Sequence, residues 1–130
     1  MSGNFDPPLP RDKHDAENAA ALVAAGGENI MHVMPQILEW MQDRNWPVAR
    51  VFQPFLADVG ARLAPFVKAV FATDDNVWKY NLLVGIVGRS PELATALRAD
   101  LERMAYNPTA GEQLECVAVE AQDILTKLSA

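Results

Sequence analysis

Apolar residues recur along this chain at helical spacing, and no stretch alternates as a strand would. Ile30, Val33, Met34, Ile37, Leu38 and Met41 stay on one face of a helix. Val48, Val51, Phe52, Phe55, Leu56 and Val59 repeat the same offsets, and Leu63, Phe66, Val67, Val70 and Phe71 mark the next helix. Ahead of these, Asp12 is placed to cap a helix over about 13–25, which Gly26-Gly27 ends because glycine adopts positive φ at low cost. A fifth helix, about 76–88, is apolar nearly all round (Val77, Trp78, Tyr80, Leu82, Leu83, Val84, Ile86, Val87), which predicts a central, buried position. Ser90-Pro91-Glu92 opens a sixth with a cap, a first-turn proline and an early acid. Thr109 and Glu112 have capping-box spacing at the start of a last helix carrying Val117, Ala121, Ile124, Leu125 and Leu128. The fold class predicted is all-α, with about seven helices.

Polar punctuation adds a period to this pattern. Arg11-Asp12-Lys13-His14, Asp43-Arg44-Asn45-Trp46 and Asp74-Asp75-Asn76-Val77 look like copies of one loop, their leading aspartates 31 residues apart twice over. Pro35 and Pro65 lie 30 apart, and with Pro54 they fall where a continuous helix would lose a hydrogen bond, so each should start or kink a helix. A period near 30 in an all-helical chain predicts stacked helical hairpins, a short α-solenoid. Helices two and three, and four and five, would form full units, with helix one and the last two capping the stack. Residues 1–10, with three prolines, are expected to form an extended N-terminal arm, leaving 11–130 as a single repeat domain.

LPRDKHD (9–15), WMQDRNWPVA (40–49) and DDNVWKYNLL (74–83), with PTAGE at 108–112, resemble the motifs of a small bacterial family of unknown function with an all-helical, HEAT-like fold. The resemblance covers about residues 9–128 and implies the HEAT-like fold. It implies no activity. Small helical-repeat domains of this type occur as binding partners, including immunity proteins that neutralise secreted toxins.

Bulk properties narrow the options. At 130 residues the chain has the length of one domain with a sizeable core. A formal charge of −6 opposes non-specific binding to nucleic acid, which needs clustered Lys and Arg. Helical repeats of the HEAT type also occur in DNA glycosylases, but the cations here (Lys13, Arg44, Arg50, Lys79, Arg89) are few and interleaved with acids. Lys13 and Lys79 are expected to pair with aspartates of adjacent loops. The N-terminus lacks the basic start and apolar stretch of a signal peptide, and no apolar run reaches the length of a membrane span. Cys116 is the only cysteine, so no internal disulfide forms and a reducing, cytoplasmic setting is expected; it falls in a helical stripe and is expected in the core. His14 and His32 have no second histidine or cysteine at ligand spacing. No nucleophile elbow, phosphate-cradling loop or dinucleotide fingerprint is present, so no catalytic residue, metal ligand or cofactor is assigned.

What remains is the ridge of repeated loops. Its aspartates can serve as helix caps, or together with the nearby aromatics they can contact a partner. The candidate contact set is Trp40, Asp43, Asn45, Trp46, Asp74, Asp75, Asn76, Lys79 and Tyr80. The expected function is a non-enzymatic interaction module, an immunity protein with an acidic surface for a basic toxin domain being its most concrete form. The alternative is a small-molecule-binding protein or small enzyme using aspartates in a groove between units. General acid–base work would need those carboxylates in a deep, partly desolvated cleft, whereas shallow aspartates bonded to backbone N–H groups are expected.

Overall fold

A computed structural model describes residues 8–129. Residues 1–7 of the expected arm lie outside the described residues, while Leu9 packs on the core and Pro10 is buried. The described chain is all helical, with no strand among those residues.

The first helix, Ala16–Ala25 (α1), starts later than the sequence suggests. Asp15, not Asp12, is its cap: its carboxylate accepts the Asn18 N–H at 3.3 Å. Arg11 adds two more donors, its backbone N–H at 2.9 Å and its Nε at 3.2 Å. Both aspartates meet the local rule for a cap, and the one that also captures Arg11 wins. Asp12 instead accepts the His14 N–H two residues on, a tight side-chain turn. Gly26, at φ +89, ends α1 as expected.

The stripe from Ile30 to Met41 is not one helix. It divides into Gly27–Ile30 (α2), a 3-10 turn, Met34–Glu39 (α3) and a second 3-10 turn at Trp40–Gln42. Pro35 is responsible: it has no N–H to donate, so it sits in the first turn of α3 rather than inside a longer helix. Pro65 does the same at the start of Ala64–Phe71 (α5). Pro54, by contrast, lies within Pro47–Val59 (α4). Asn76–Gly85 (α6) is followed by Pro91–Ala96 (α7), with Ser90 accepting the Leu93 N–H, and by Arg98–Tyr106 (α8). The capping box of Thr109 and Glu112 forms as expected, but it opens only a short helix, Ala110–Leu114 (α9). Cys116 then interrupts the stripe at φ 64, exposed and not in the core, before Val117–Leu128 (α10). The left-handed backbone there aims the cysteine out of the stripe that its sequence neighbours share.

Packing follows the apolar stripes. α1 lies on α4, α4 and α5 both touch α6, α3 lies beside α5, and α10 covers α6 and α8. Leu22, Ile30, Met34, Ile37, Leu38, Met41, Phe52, Leu56, Leu63, Leu82, Leu83 and Ile86 are fully buried between these elements. Full burial of such a side chain contributes about 1.5–3 kcal/mol. α6 is central, as its composition predicts, yet its buried face includes Lys79 and Asn81, and Val77 is half exposed.

Candidate functional site

The polar residues of α6 reach in three directions. At its start the Asp75 carboxylate accepts the Trp78 N–H at 3.0 Å and so caps the helix, while Asp75 N–H donates to the Thr73 hydroxyl at 3.2 Å. Asp74 is exposed. On one side the Trp78 indole N–H donates to Leu38 O at 2.9 Å. One turn on, Asn81 donates from its amide to Met41 O at 3.1 Å and Gln42 O at 2.9 Å. The Asn81 bonds satisfy carbonyls at the end of the 3-10 turn after α3, while Leu38 O also accepts the Trp40 N–H. Arg44 completes this seam, donating from Nε to Asn81 Oδ1 at 3.3 Å with its guanidinium 5.9 Å from the Tyr80 ring centre.

On the opposite side Lys79 is buried. Its ammonium donates to Glu112 Oε2 at 3.0 Å, not to the loop aspartates expected from the sequence. Glu112 is completely enclosed and, besides Lys79, accepts three donors: both terminal nitrogens of Arg103, each at 2.6 Å, and the Thr109 N–H at 2.8 Å. The Arg103 fork, ahead of Thr109 and Lys79, holds the Glu112 carboxyl down at about 2 against the opposing effect of burial. A carboxylate fixed in its charged form this way does not exchange protons near neutral pH, so it is a poor general acid or base. Asn76 belongs to the same contact: its amide nitrogen lies where a Cβ on Gly111 would sit, and its carbonyl oxygen is enclosed without a hydrogen-bond partner. A Cβ at position 111 would force the Asn76 amide aside.

The remaining candidates lie in the loop before α4. Trp40 and Trp46 are both half-buried and meet edge to face, ring centres 5.9 Å apart. Asp43 accepts the Asn45 N–H at 2.8 Å, the same turn that Asp12 makes with His14. Neither caps a helix; Trp46 occupies the cap position of α4 and offers no side-chain acceptor. Asn45 is exposed. The loop at 11–15 lies against this one, since Lys13 O accepts the Val48 N–H at 3.2 Å. The structure therefore joins Trp40 with Trp46 and links the 43–46 loop to α6 through Arg44. It takes Lys79 and Asn76 away from that surface to face α9.

A groove that sequence reasoning missed opens beside these residues. It encloses about 330 Å³ between α3 and α5, lined by Pro35, Leu38 and Glu39 on one wall, Pro65, Phe66, Ala69, Val70 and Thr73 on the other, and Trp78 from α6. The signal for it was present in the two prolines 30 residues apart: each starts a helix at an equivalent place, and the two helices lie side by side. A larger groove of about 520 Å³ runs between α8 and α10, lined by Arg98, Glu102, Tyr106, Leu125, Thr126 and Ser129. It is wider and more polar, and it touches none of the motif residues, so the α3–α5 groove is the stronger candidate. Among the described residues no group of three or more His, Cys, Asp or Glu side chains converges as a metal site would require. No helix among them is long and apolar enough to cross a membrane.

A family model described as a domain of unknown function, DUF5071, matches residues 8–125. The chain belongs to the DUF5071 family. No curated protein matches it. The matched DUF5071 region contains the whole of the α6–α9 contact and both walls of the groove.

Proposed function

We propose that this DUF5071 domain is a non-enzymatic protein–protein interaction module, a short solenoid of HEAT-like helical hairpins acting in the cytoplasm. The repeat reading is supported by α3 lying beside α5 with a proline in the first turn of each, and by α4 touching both α1 and α6. The observation that carries the interaction reading is the open apolar groove between α3 and α5, flanked by Glu39 and the loop acids Asp74 and Asp75. Concave, mostly apolar clefts of this kind are the usual form of a binding site. The contact surface comprises this groove with the exposed parts of Trp40, Asp43, Asn45, Trp46, Asp74, Asp75 and Tyr80.

The most concrete version is an immunity protein that covers the active site of a basic toxin domain. The net charge of −6 favours it, because opposite charge accelerates encounter. A small-molecule ligand is the second reading, since 330 Å³ is at the lower end of ligand-pocket volumes. An aspartate-based enzyme is disfavoured: Asp43 and Asp75 accept backbone N–H groups at exposed positions, and Lys79 is paired with Glu112 instead.

Co-purification with the product of the adjacent gene tests the interaction reading. Joint replacement of Asp43 and Asp74 by alanine separates two roles. Weakened binding at unchanged stability assigns them to the interface; lowered stability with intact binding leaves them a role in loop structure alone.

A further inference from the structure

We infer that Arg44 is an anion-recognition point on the loop surface, its guanidinium held ready for one carboxylate of the partner protein. The inference rests on the interaction reading above and adds the chemistry of a single contact.

The other arginines fall into two groups. Arg11, Arg62 and Arg103 pair with Asp15, Glu28 and Glu112, while Arg50, Arg89 and Arg98 are exposed. Arg44 belongs to neither. It is partly buried, and neutral groups hold it: Nε donates to Asn81 Oδ1 at 3.3 Å, and the guanidinium lies 5.9 Å from the Tyr80 ring centre. No carboxylate of the described residues pairs with it, although Asp and Glu outnumber Lys and Arg 17 to 11 in the chain. The nearest in sequence, Asp43, accepts the Asn45 N–H instead.

The hold is built from beneath. Asn81 is 7% exposed, and its amide nitrogen donates to both Met41 O and Gln42 O. Those two bonds use both amide hydrogens and fix which way the group points, leaving Oδ1 toward Arg44. With Nε bound and the ring beside it, the guanidinium plane is set. The edge carrying the two terminal nitrogens remains. Neither nitrogen has a hydrogen-bond partner among the described residues, and neither is enclosed. Two parallel N–H groups on that edge match the two oxygens of a carboxylate. A guanidinium ordered beforehand also loses less rotamer freedom when the contact forms.

Charge selects among anions. One guanidinium offsets one negative charge, and Asp43 adjoins it in the chain. A singly charged, planar carboxylate therefore fits better than a phosphate group carrying nearly two charges. On this inference a partner surface that is basic at large carries an Asp or Glu at this point.

Two measurements test it. The first needs no partner: arginine Nε–Hε NMR signals are followed as sodium acetate, and separately inorganic phosphate, replaces sodium chloride at constant ionic strength. The Arg44 signal is expected to shift with acetate by more than those of Arg50, Arg89 and Arg98. An equal response from the exposed arginines, or a larger one at Arg44 to phosphate, overturns the inference. The second uses the product of the adjacent gene. Arg44→Lys keeps the charge and loses the fork, so it is expected to weaken binding about tenfold, with Arg44→Met no better. Undiminished binding by Arg44→Lys would mean that a point charge suffices, and the inference falls. Should these variants lose stability, the partner supplies the reading with this chain unaltered. Replacing the partner's acids one at a time by their amides is expected to find one whose loss weakens binding about tenfold; finding none overturns the inference and leaves the interaction reading in place. If the parent chain captures nothing, the interaction reading falls, and a partner carboxylate at Arg44 falls with it.

Discussion

Where α6 meets α9 the molecule encloses charge, and where α3 meets α5 it leaves hydrocarbon open. The two regions share α6, whose Lys79 faces one and whose Trp78 faces the other. The first looks like a site by residue type: a lysine, a glutamate, an arginine and an asparagine within a few ångströms. Geometry gives it a different role. Both oxygens of Glu112 are taken and its proton is held off. The second carries little chemistry in its side chains, yet it has the open volume. Recognisable polar motifs can thus serve the fold, while a binding surface is built from residues that no motif advertises.

The sharpest way to break this contrast is Glu112→Ala. It leaves Lys79 buried without a counter-ion, and removing one member of such a group costs about 3–5 kcal/mol, to be read from urea unfolding. Lys79→Met is milder, about 1–3 kcal/mol, because Glu112 keeps the Arg103 fork and the Thr109 N–H. Gly111→Ala should change stability by less, within about 1 kcal/mol on the melting curve, because its Cβ meets only the far end of the Asn76 side chain and alanine favours the helix.

Acid probes the same contact. Glu112 lies at about 2 in the fold against an ordinary 4.5, and Asp15 at about 2 against 3.8, chiefly through the Arg11 N–H. Lowered pKa values mean that the stabilisation is complete above pH 4.5 and is lost as pH falls from there towards 2. Unfolding free energy measured across that window should decline, and Glu112→Gln should flatten part of the slope. The smallest stability effect belongs to the groove: Ala69→Arg should stay within about 0.5 kcal/mol of the parent, as substitutions away from buried features do. A larger loss would mean that the groove is part of the fold rather than spare surface.

Much of the framework was legible in local sequence. Pro35 and Pro65 mark helix starts by a covalent property, and Ser90 and the Thr109–Glu112 box are caps whose partners lie three residues away. Locality fails where two residues compete. Asp12 and Asp15 both qualify as caps, and the choice depends on Arg11 folding back onto one of them. It fails again at Cys116, where a left-handed residue interrupts a stripe that reads as continuous. The candidate site was legible only in part. Trp40 with Trp46, and Arg44 with Tyr80, do come together around the loop. Aspartates near Lys79 in sequence point it to the loops, whereas its partner Glu112 is 33 residues on and brought in by the docking of α9. The groove has no polar signature; its one trace in the sequence is the pair Pro35 and Pro65, and the packing of α3 on α5 turns that pair into a groove.

The central claim is that the surface around α3 and α5 holds a protein partner. Amide hydrogen exchange, with and without the product of the adjacent gene, tests it most directly. Slowed exchange over residues 35–39 and 65–73 together with the 43–46 loop is predicted, with the α8–α10 face unchanged. Protection confined to α8 and α10, or no protection anywhere, would contradict it.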